Sequence, residues 1–170
     1  MIRIMTENDM APFNALRLRA IVDSPTIFVA DLAEETKRSS ADICNRVRPT
    51  DFQCIFGKFN GTALLGMVGL QRERLLQASH KACVWGLFVD PLHRSMGIAR
   101  HLLHAVISHA QTQGILQIHL CVGTENMQAK RLYQSLGFVR YGIEPRAAYI
   151  EDRFYDDEYV VLHLDRDALP

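Results

Sequence analysis

The sequence predicts one α/β domain over residues 1–170, an α+β arrangement in which helices flank a mixed, mostly antiparallel sheet. Three observations carry that prediction. Helix-like and strand-like apolar periods alternate along the chain. An Asn60-Gly61 dipeptide, the favoured sequence of a two-residue hairpin turn, joins two strand-like runs. Two nearly continuous apolar runs of strand length, 82–89 and 115–122, read as strands covered on both faces, with an amphipathic helix between them.

In chain order, residues 2–5 read as a short first strand. Thr6 and Asp9 then form a capping-box-like start for a helix carrying Phe13, Leu16, Leu18 and Ile21. Pro25 disfavours helical geometry at Ser24 and ends that helix, and an irregular segment is expected to about Lys37. Ser39 or Ser40 caps a short helix through Ile43 and Val47, stopped by Pro49. The hairpin strands are expected at 52–59 and 62–71, and a third strand at 82–89 is ended by Asp90-Pro91. A helix over 97–113 lines up Ile98, Leu102, Leu103, Val106, Ile107 and Ala110 on one face before Gly114. After the strand at 115–122, a helix from about Asn126 carries Ala129, Leu132, Tyr133 and Leu136, with Gly137 as its C-terminal cap. Strands at 138–150 and 153–164 meet at a turn near Glu151-Asp152.

Composition narrows the function. A chain of 170 residues, 48% hydrophobic and 22% charged, can bury a sizeable core, which argues against disorder. Nineteen basic and nineteen acidic side chains cancel, so no overall charge draws nucleic acid or an anionic membrane. The apolar runs are far shorter than the ~20 residues of a membrane-spanning helix. Acidic Glu7 and Asp9 stand where a signal peptide needs an apolar core. Cys44, Cys54, Cys83 and Cys121 show no Cys-x-x-Cys spacing and are expected as reduced, mostly buried thiols. A cytoplasmic location follows as an expectation.

The most informative segment runs from the strand end at Val89 through Asp90-Pro91-Leu92-His93 to Arg94-Ser95-Met96-Gly97-Ile98-Ala99, where a helix opens. A strand, a glycine-containing turn and a helix N-terminus aim free backbone N–H groups at one spot, which makes an anion site. The segment lacks the Gly-Lys-Ser/Thr ending of a nucleotide P-loop and the Gly-x-Gly-x-x-Gly of a dinucleotide fold. Arg94-x-x-Gly97-x-Ala99 instead resembles the acyl-CoA pyrophosphate loop of the GNAT (Gcn5-related) N-acetyltransferases. Phe88-Val89-Asp90-Pro91 before it, and Asn126-x-x-Ala129 and Leu132-Tyr133-x-x-x-Gly137-Phe138 after it, fall in the family's order.

That resemblance implies acetyl transfer from acetyl-CoA to an amine by direct attack in a ternary complex, with no metal. It implies a GNAT fold whose parallel central strands splay to admit the pantetheine arm against the backbone of Leu87, Phe88 and Val89, with Gly86 marking a bulge. It also implies that the backbone of Arg94, Ser95, Met96, Gly97, Ile98 and Ala99 holds the pyrophosphate. Asn126 is similar to a family residue on the pantetheine side, although a plain helix cap is an equal reading. Tyr133 corresponds to the tyrosine that protonates the departing thiolate, and its alternative is a core aromatic. A GNAT-shaped domain that binds acyl-CoA without turnover is the competing function.

The sequence departs from some family members on the strand before the loop, where Cys83 stands in place of a glutamate that takes the amine proton. His119, Glu34, Glu35, Glu144 or a water chain ending at one of them are the candidate bases. His101 and His104, one turn apart, make only two of the ligands a metal needs. The acceptor, a small-molecule or peptide amine, is expected to be set by the 24–37 loop and the last strands. A homodimer is compatible with the family.

Overall fold

In a computed structural model, residues 1–28 and 30–165 are described. Seven strands form one sheet: β1 (Ile2–Ile4), β2 (Gln53–Asn60), β3 (Ala63–Arg72), β4 (Lys81–Val89), β5 (Gln117–Gly123), β6 (Val139–Ile150) and β7 (Arg153–His163), in the order β1-β2-β3-β4-β5-β7-β6. Every neighbouring pair is antiparallel except β4 and β5. Those two central strands pair only at Lys81–Gln117, Ala82–Ile118 and Cys83–His119, then part. The expected splayed parallel pair is therefore present, with its vertex at Cys83 and His119.

Helices cover both faces because the strands alternate apolar residues to each. On one face lie α4 (Ile98–Thr112) and α5 (Met127–Ser135), where Leu102, Leu103 and Val106 pack with Val68, Ile118 and Leu120. On the other, α1 (Met10–Asp23) sets Phe13, Leu16 and Ala20 against Ile55, Met67 and Phe88. The two short helices α2 (Leu32–Thr36) and α3 (Ser40–Val47) follow α1, and the Ser39 side chain caps α3 as expected.

Four expectations are corrected. The 24–37 stretch is not wholly irregular, because Asp31 accepts from the Glu34 N–H and starts α2, an element too short to show a helical period. The hairpin turns on Gly61 and Thr62, since Asn60 still pairs with Ala63. The strand expected at 115–122 begins at Gln117. Of the four free cysteines only Cys54 is buried. Cys83 and Cys121 are exposed because strand alternation turns them to the face opposite α4, alongside the opening between β4 and β5.

Candidate active site

The β4 edge that faces β5 is unpaired beyond Cys83, and it leads to the loop that opens α4. Within β4 the register with β3 slips between the pairs Met67–Phe88 and Gly69–Trp85, so one extra residue bulges out. Gly86 sits there with φ of 64°, a left-handed conformation that costs a side-chain-bearing residue energy. The bulge expected at Gly86 is thus present.

The loop itself winds tightly. Ser95 has φ of 62° and Gly97 φ of 75°, and Gly97 is the N-cap of α4. Among the described residues, the backbone N–H groups from Ser95 to Arg100 make no backbone hydrogen bond, the first return bond being His101 N–H to the Gly97 carbonyl. Six N–H groups without a backbone partner and the positive end of a fifteen-residue helix therefore stand together in this loop. Ile98 buries its side chain in the core, which anchors that helix end, while Met96 turns its side chain away from the groove. Arg94 does not point freely at these groups. It pairs with Asp23, and its Nε donates to the Val89 carbonyl at 3.2 Å.

A groove of about 330 Å³ runs along this surface, between Leu87, Phe88 and Val89 on one side and Asn126, Ala129 and Leu132 on the other. Phe28 and Ile27, from the chain just after α1, close its third wall. Asn126 fulfils the plain capping role, its Oδ1 accepting from the Ala129 N–H at 3.1 Å, and its side chain also faces the groove. The cap is thus made, and it leaves the residue on the groove wall. A row of unengaged donors at one end, an unpaired strand edge along the side and an apolar wall between them suit a ligand with a pyrophosphate and an amide-bearing arm.

Tyr133 lies outside that groove. It lines a second cavity of about 270 Å³ with Val122, Lys130, Phe138 and Glu158. Its ring meets Phe138 edge-on at 5.7 Å, and a nearly buried Lys130–Glu158 ion pair at 2.8 Å pins α5 to β7 beneath it. Burial holds the phenol well above its ordinary pKa, with the nearby Cys121 thiol adding to the effect. The tyrosine therefore keeps its proton at any ordinary pH and stands near Cys121, on the β5 side of the gap.

The expected bases are scattered. Glu35 is 5% exposed and accepts from Arg46 and Arg38 with Arg17 nearby, which makes it a structural anion. Burial pushes its pKa up, but the three guanidiniums outweigh that and hold it below the usual carboxylate range. Glu34 is exposed on α2. Glu144 is exposed and accepts from the Tyr159 hydroxyl. His119 stands at the closed vertex, both ring nitrogens engaged, by the Tyr141 hydroxyl and by Gln117 Oε1, each at 3.2 Å. Burial, followed by Lys81, lowers its pKa and keeps it neutral. Among the described residues no three metal-ligating side chains converge, and His101 and His104 have no third partner.

Sequence reading missed two residues. Asp157 on β7, opposite Gly123, lies beside the Cys121 thiol. Burial pushes its pKa up, the Cys121 thiol opposes that, and Glu144 and Asp156 raise it further. The alternation Tyr155, Asp157, Tyr159 along β7 was the available signal, since it puts all three on one face. The other is Arg17 on α1, whose side chain is 11% exposed and reaches to Gly86.

The sequence model of the acetyltransferase (GNAT) family matches residues 18–138. This chain belongs to the GNAT acetyltransferase family. The matched span of this GNAT chain includes β4, the loop and α5, and the fold agrees with solved GNAT structures. An acetyltransferase of the GNAT family from Streptococcus pneumoniae superposes with a TM-score of 0.81 at 23% identity, over 96% of this chain and 99% of that one. An acetyltransferase from Salmonella typhimurium, solved with its cofactor acetyl-CoA, gives 0.81 at 19% identity over 100% and 96%. Among curated proteins, N-acetyltransferase 8 of Homo sapiens is 40% identical over 86 residues, 46% of this chain and 35% of that protein. Mycothiol acetyltransferase of Thermobispora bispora is 39% identical over 61 residues, 36% of this chain and 21% of that protein. The chain thus spans about a third or less of the length of these two relatives. Among the described residues no helix is long and apolar enough to cross a membrane.

Proposed function

We propose that this chain moves the acetyl group of acetyl-CoA to an amine acceptor by direct attack in a ternary complex. The observation that carries the reading is the continuity of one groove, from the unengaged N–H groups of residues 95–100 to the unpaired β4 edge at the Gly86 bulge. The N–H groups of Ser95 to Arg100 hold the pyrophosphate, and the β4 backbone at Leu87 and Phe88 pairs with the amides of the arm. Asn126, Ala129 and Leu132 form the opposite wall.

Acetyl-CoA supplies a thioester carbonyl that an uncharged amine attacks, forming a C–N bond as the C–S bond breaks. Tyr133 gives its proton to the sulfur as the C–S bond breaks, and the proton that the acylated nitrogen sheds as the amide forms returns to the phenolate. The raised pKa keeps the donor protonated until the thiolate develops but also makes it a weaker acid. The amine arrives as an ammonium with a pKa of about 10.4 and has to lose a proton before it attacks. Asp157 attracts that ammonium and receives its proton, directly or through water, while burial, aided by Glu144 and Asp156, keeps the Asp157 pKa raised. The acceptor is a small-molecule or peptide amine, entering on the face of β4 and β5 opposite α4.

Release of CoA, followed with a thiol reagent across a panel of amines, tests this reading. Acceptor-dependent release that disappears in Gly97→Glu supports transfer at this groove. Tight acetyl-CoA binding with no acceptor giving release would leave a binding module in place of an enzyme.

A further inference from the structure

The acceptor side of the Gly86 bulge contains a cation that the acetyl-transfer machinery does not use. Arg17 projects from α1 so that one of its Nη atoms lies 4.0 Å from the position a side chain on Gly86 would occupy. Its side chain is 11% exposed, and its Nε is buried without a hydrogen-bond partner among the described residues. Phe28 supports the guanidinium, whose centre lies 5.0 Å from the ring centroid. Phe28 in turn packs edge-on against Phe88 of β4 at 6.0 Å, so the cation is fixed relative to the bulge.

The local charge does not balance. Glu35 faces Arg17 only at 3.7 Å, while its Oε1 accepts from Arg46 at 2.5 Å and its Oε2 lies 3.2 Å from Arg38. Three guanidiniums thus share one carboxylate, leaving the cation nearest the reacting centre the least satisfied. A buried charge without a full partner is costly, and a bound anion relieves the cost. Burial also pulls the Arg17 pKa down, which Glu35 offsets only in part, in keeping with an environment short of negative charge. Across the opening, Asp157 offers the opposite charge beside Cys121.

We infer that the acceptor is an amino carboxylate, its carboxylate held by Arg17 and its amino group turned toward Asp157 and the thioester. The inference rests on the acetyl-transfer reading above and adds a substrate class to it. A free α-amino acid, or one with a substituted side chain, carries both the carboxylate that Arg17 would pair with and the amine that is acetylated. Arg17 fits because a planar guanidinium binds a carboxylate through two parallel N–H donors.

The test compares α-amino acids with their carboxamides and with the corresponding decarboxylated amines, in CoA release and in NMR titration of the CoA-loaded protein. Wild type is expected to favour the amino acids, and Arg17→Met to shrink the kcat/KM ratio of acid to carboxamide by roughly 10- to 100-fold, the scale of hydrogen bonds to a charged group. Arg17→Lys should recover part of it. Glu35 keeps Arg38 and Arg46 in the methionine variant, and a thermal melt reports that the fold holds. A purely structural role for Arg17 would lower all acceptors together and leave the ratio intact, which overturns the inference, as does equal use of acids and carboxamides by wild type. Arg17-dependent binding of amino acids to the CoA-loaded protein without any CoA release would sustain the carboxylate site and sink acetyl transfer instead.

Discussion

Arg94 and Asp23 form an ion pair that ties the loop before α4 to the C-terminal end of α1. The guanidinium also donates to the Val89 carbonyl and lies 5.4 Å from the Phe88 ring centroid, so it braces the groove wall. Arg94, followed by the Ser24 hydroxyl that donates to it, holds Asp23 below the usual carboxylate range, so the carboxylate is ionised throughout neutral pH. A negative charge thus stands close to where a pyrophosphate is expected.

Asp23→Asn should therefore tighten acetyl-CoA binding by a few-fold at low ionic strength, because it removes repulsion and frees Arg94 for the phosphates. The gain should fade as salt rises, exposed charges being screened over about 10 Å at 0.1 M. Calorimetry at two salt concentrations checks it, and a loss of affinity in Asp23→Asn would show that the brace matters more than the charge.

Gly97→Glu should abolish measurable acetyl-CoA binding while the protein still folds. The side chain would start from a left-handed backbone, and a Cβ at this position would meet only the His101 ring, at 3.6 Å, so the fold has room for it. The cost of that conformation is about 1 kcal/mol, small beside placing a carboxylate among donors meant for phosphate. A folded variant with unchanged affinity by calorimetry would place the cofactor elsewhere.

Tyr133→Phe keeps the edge-on contact with Phe138 but removes the proton donor. Turnover should fall by roughly 10²-fold with acetyl-CoA affinity retained. Because burial raises the phenol pKa, wild-type activity should show no alkaline decline from Tyr133 ionising below pH 10. Such a decline, lost in Tyr133→Phe, would contradict the buried, protonated donor.

How far the sequence reached follows from the kind of signal each element carries. The long helix α4 and strands β4 to β7 were readable because their apolar periods run for seven or more residues, and the loop because its glycine and flanking residues stand in fixed order. Glu35 was one of several candidate bases in the sequence, and its place in an ion cluster was hidden because two of its partners, Arg17 and Arg46, come from other helices, although Arg38 lies only three residues on. Arg17 was missed because no neighbour in sequence announces its role, and Asp157 because its strand alternation marks a face but not what that face adjoins. The exposure of Cys83 and Cys121 depends on which sheet face the helices leave uncovered, which strand periodicity alone does not give.

Glu35 gives a stability prediction. Replacing it with glutamine leaves Arg17, Arg38 and Arg46 without a countercharge and should cost about 3 kcal/mol, toward the lower end for a broken buried pair because Arg38 is 41% exposed. The pH dependence follows from the sign of the shift. The folded pKa of Glu35 lies below its unfolded value, so its contribution is complete above the unfolded pKa of about 4.3 and is lost as pH falls through the lower folded value. Urea unfolding from pH 6 to pH 3 should show wild type losing more stability than Glu35→Gln, and parallel losses would show that the cluster is not held by ionised Glu35.

The proton path makes the last prediction. Asp157 is the carboxylate beside Cys121, and burial together with Glu144 and Asp156 raises its pKa above the ordinary aspartate value of about 3.9. A base works only when ionised, so kcat/KM should rise with pH through that raised value, on a limb separate from the acceptor's own near 10. Asp157→Asn should remove this limb and lower kcat by roughly 10²-fold, leaving acetyl-CoA affinity unchanged. Glu144→Gln should act differently. It takes away one like charge while its amide oxygen can still accept from the Tyr159 hydroxyl, so the limb should move to lower pH while substantial turnover remains. An Asp157→Asn enzyme with a normal kcat and an unmoved limb would exclude Asp157 from the path. The amine proton would then leave through solvent, and the rate would follow the acceptor's own pKa across a series of amines.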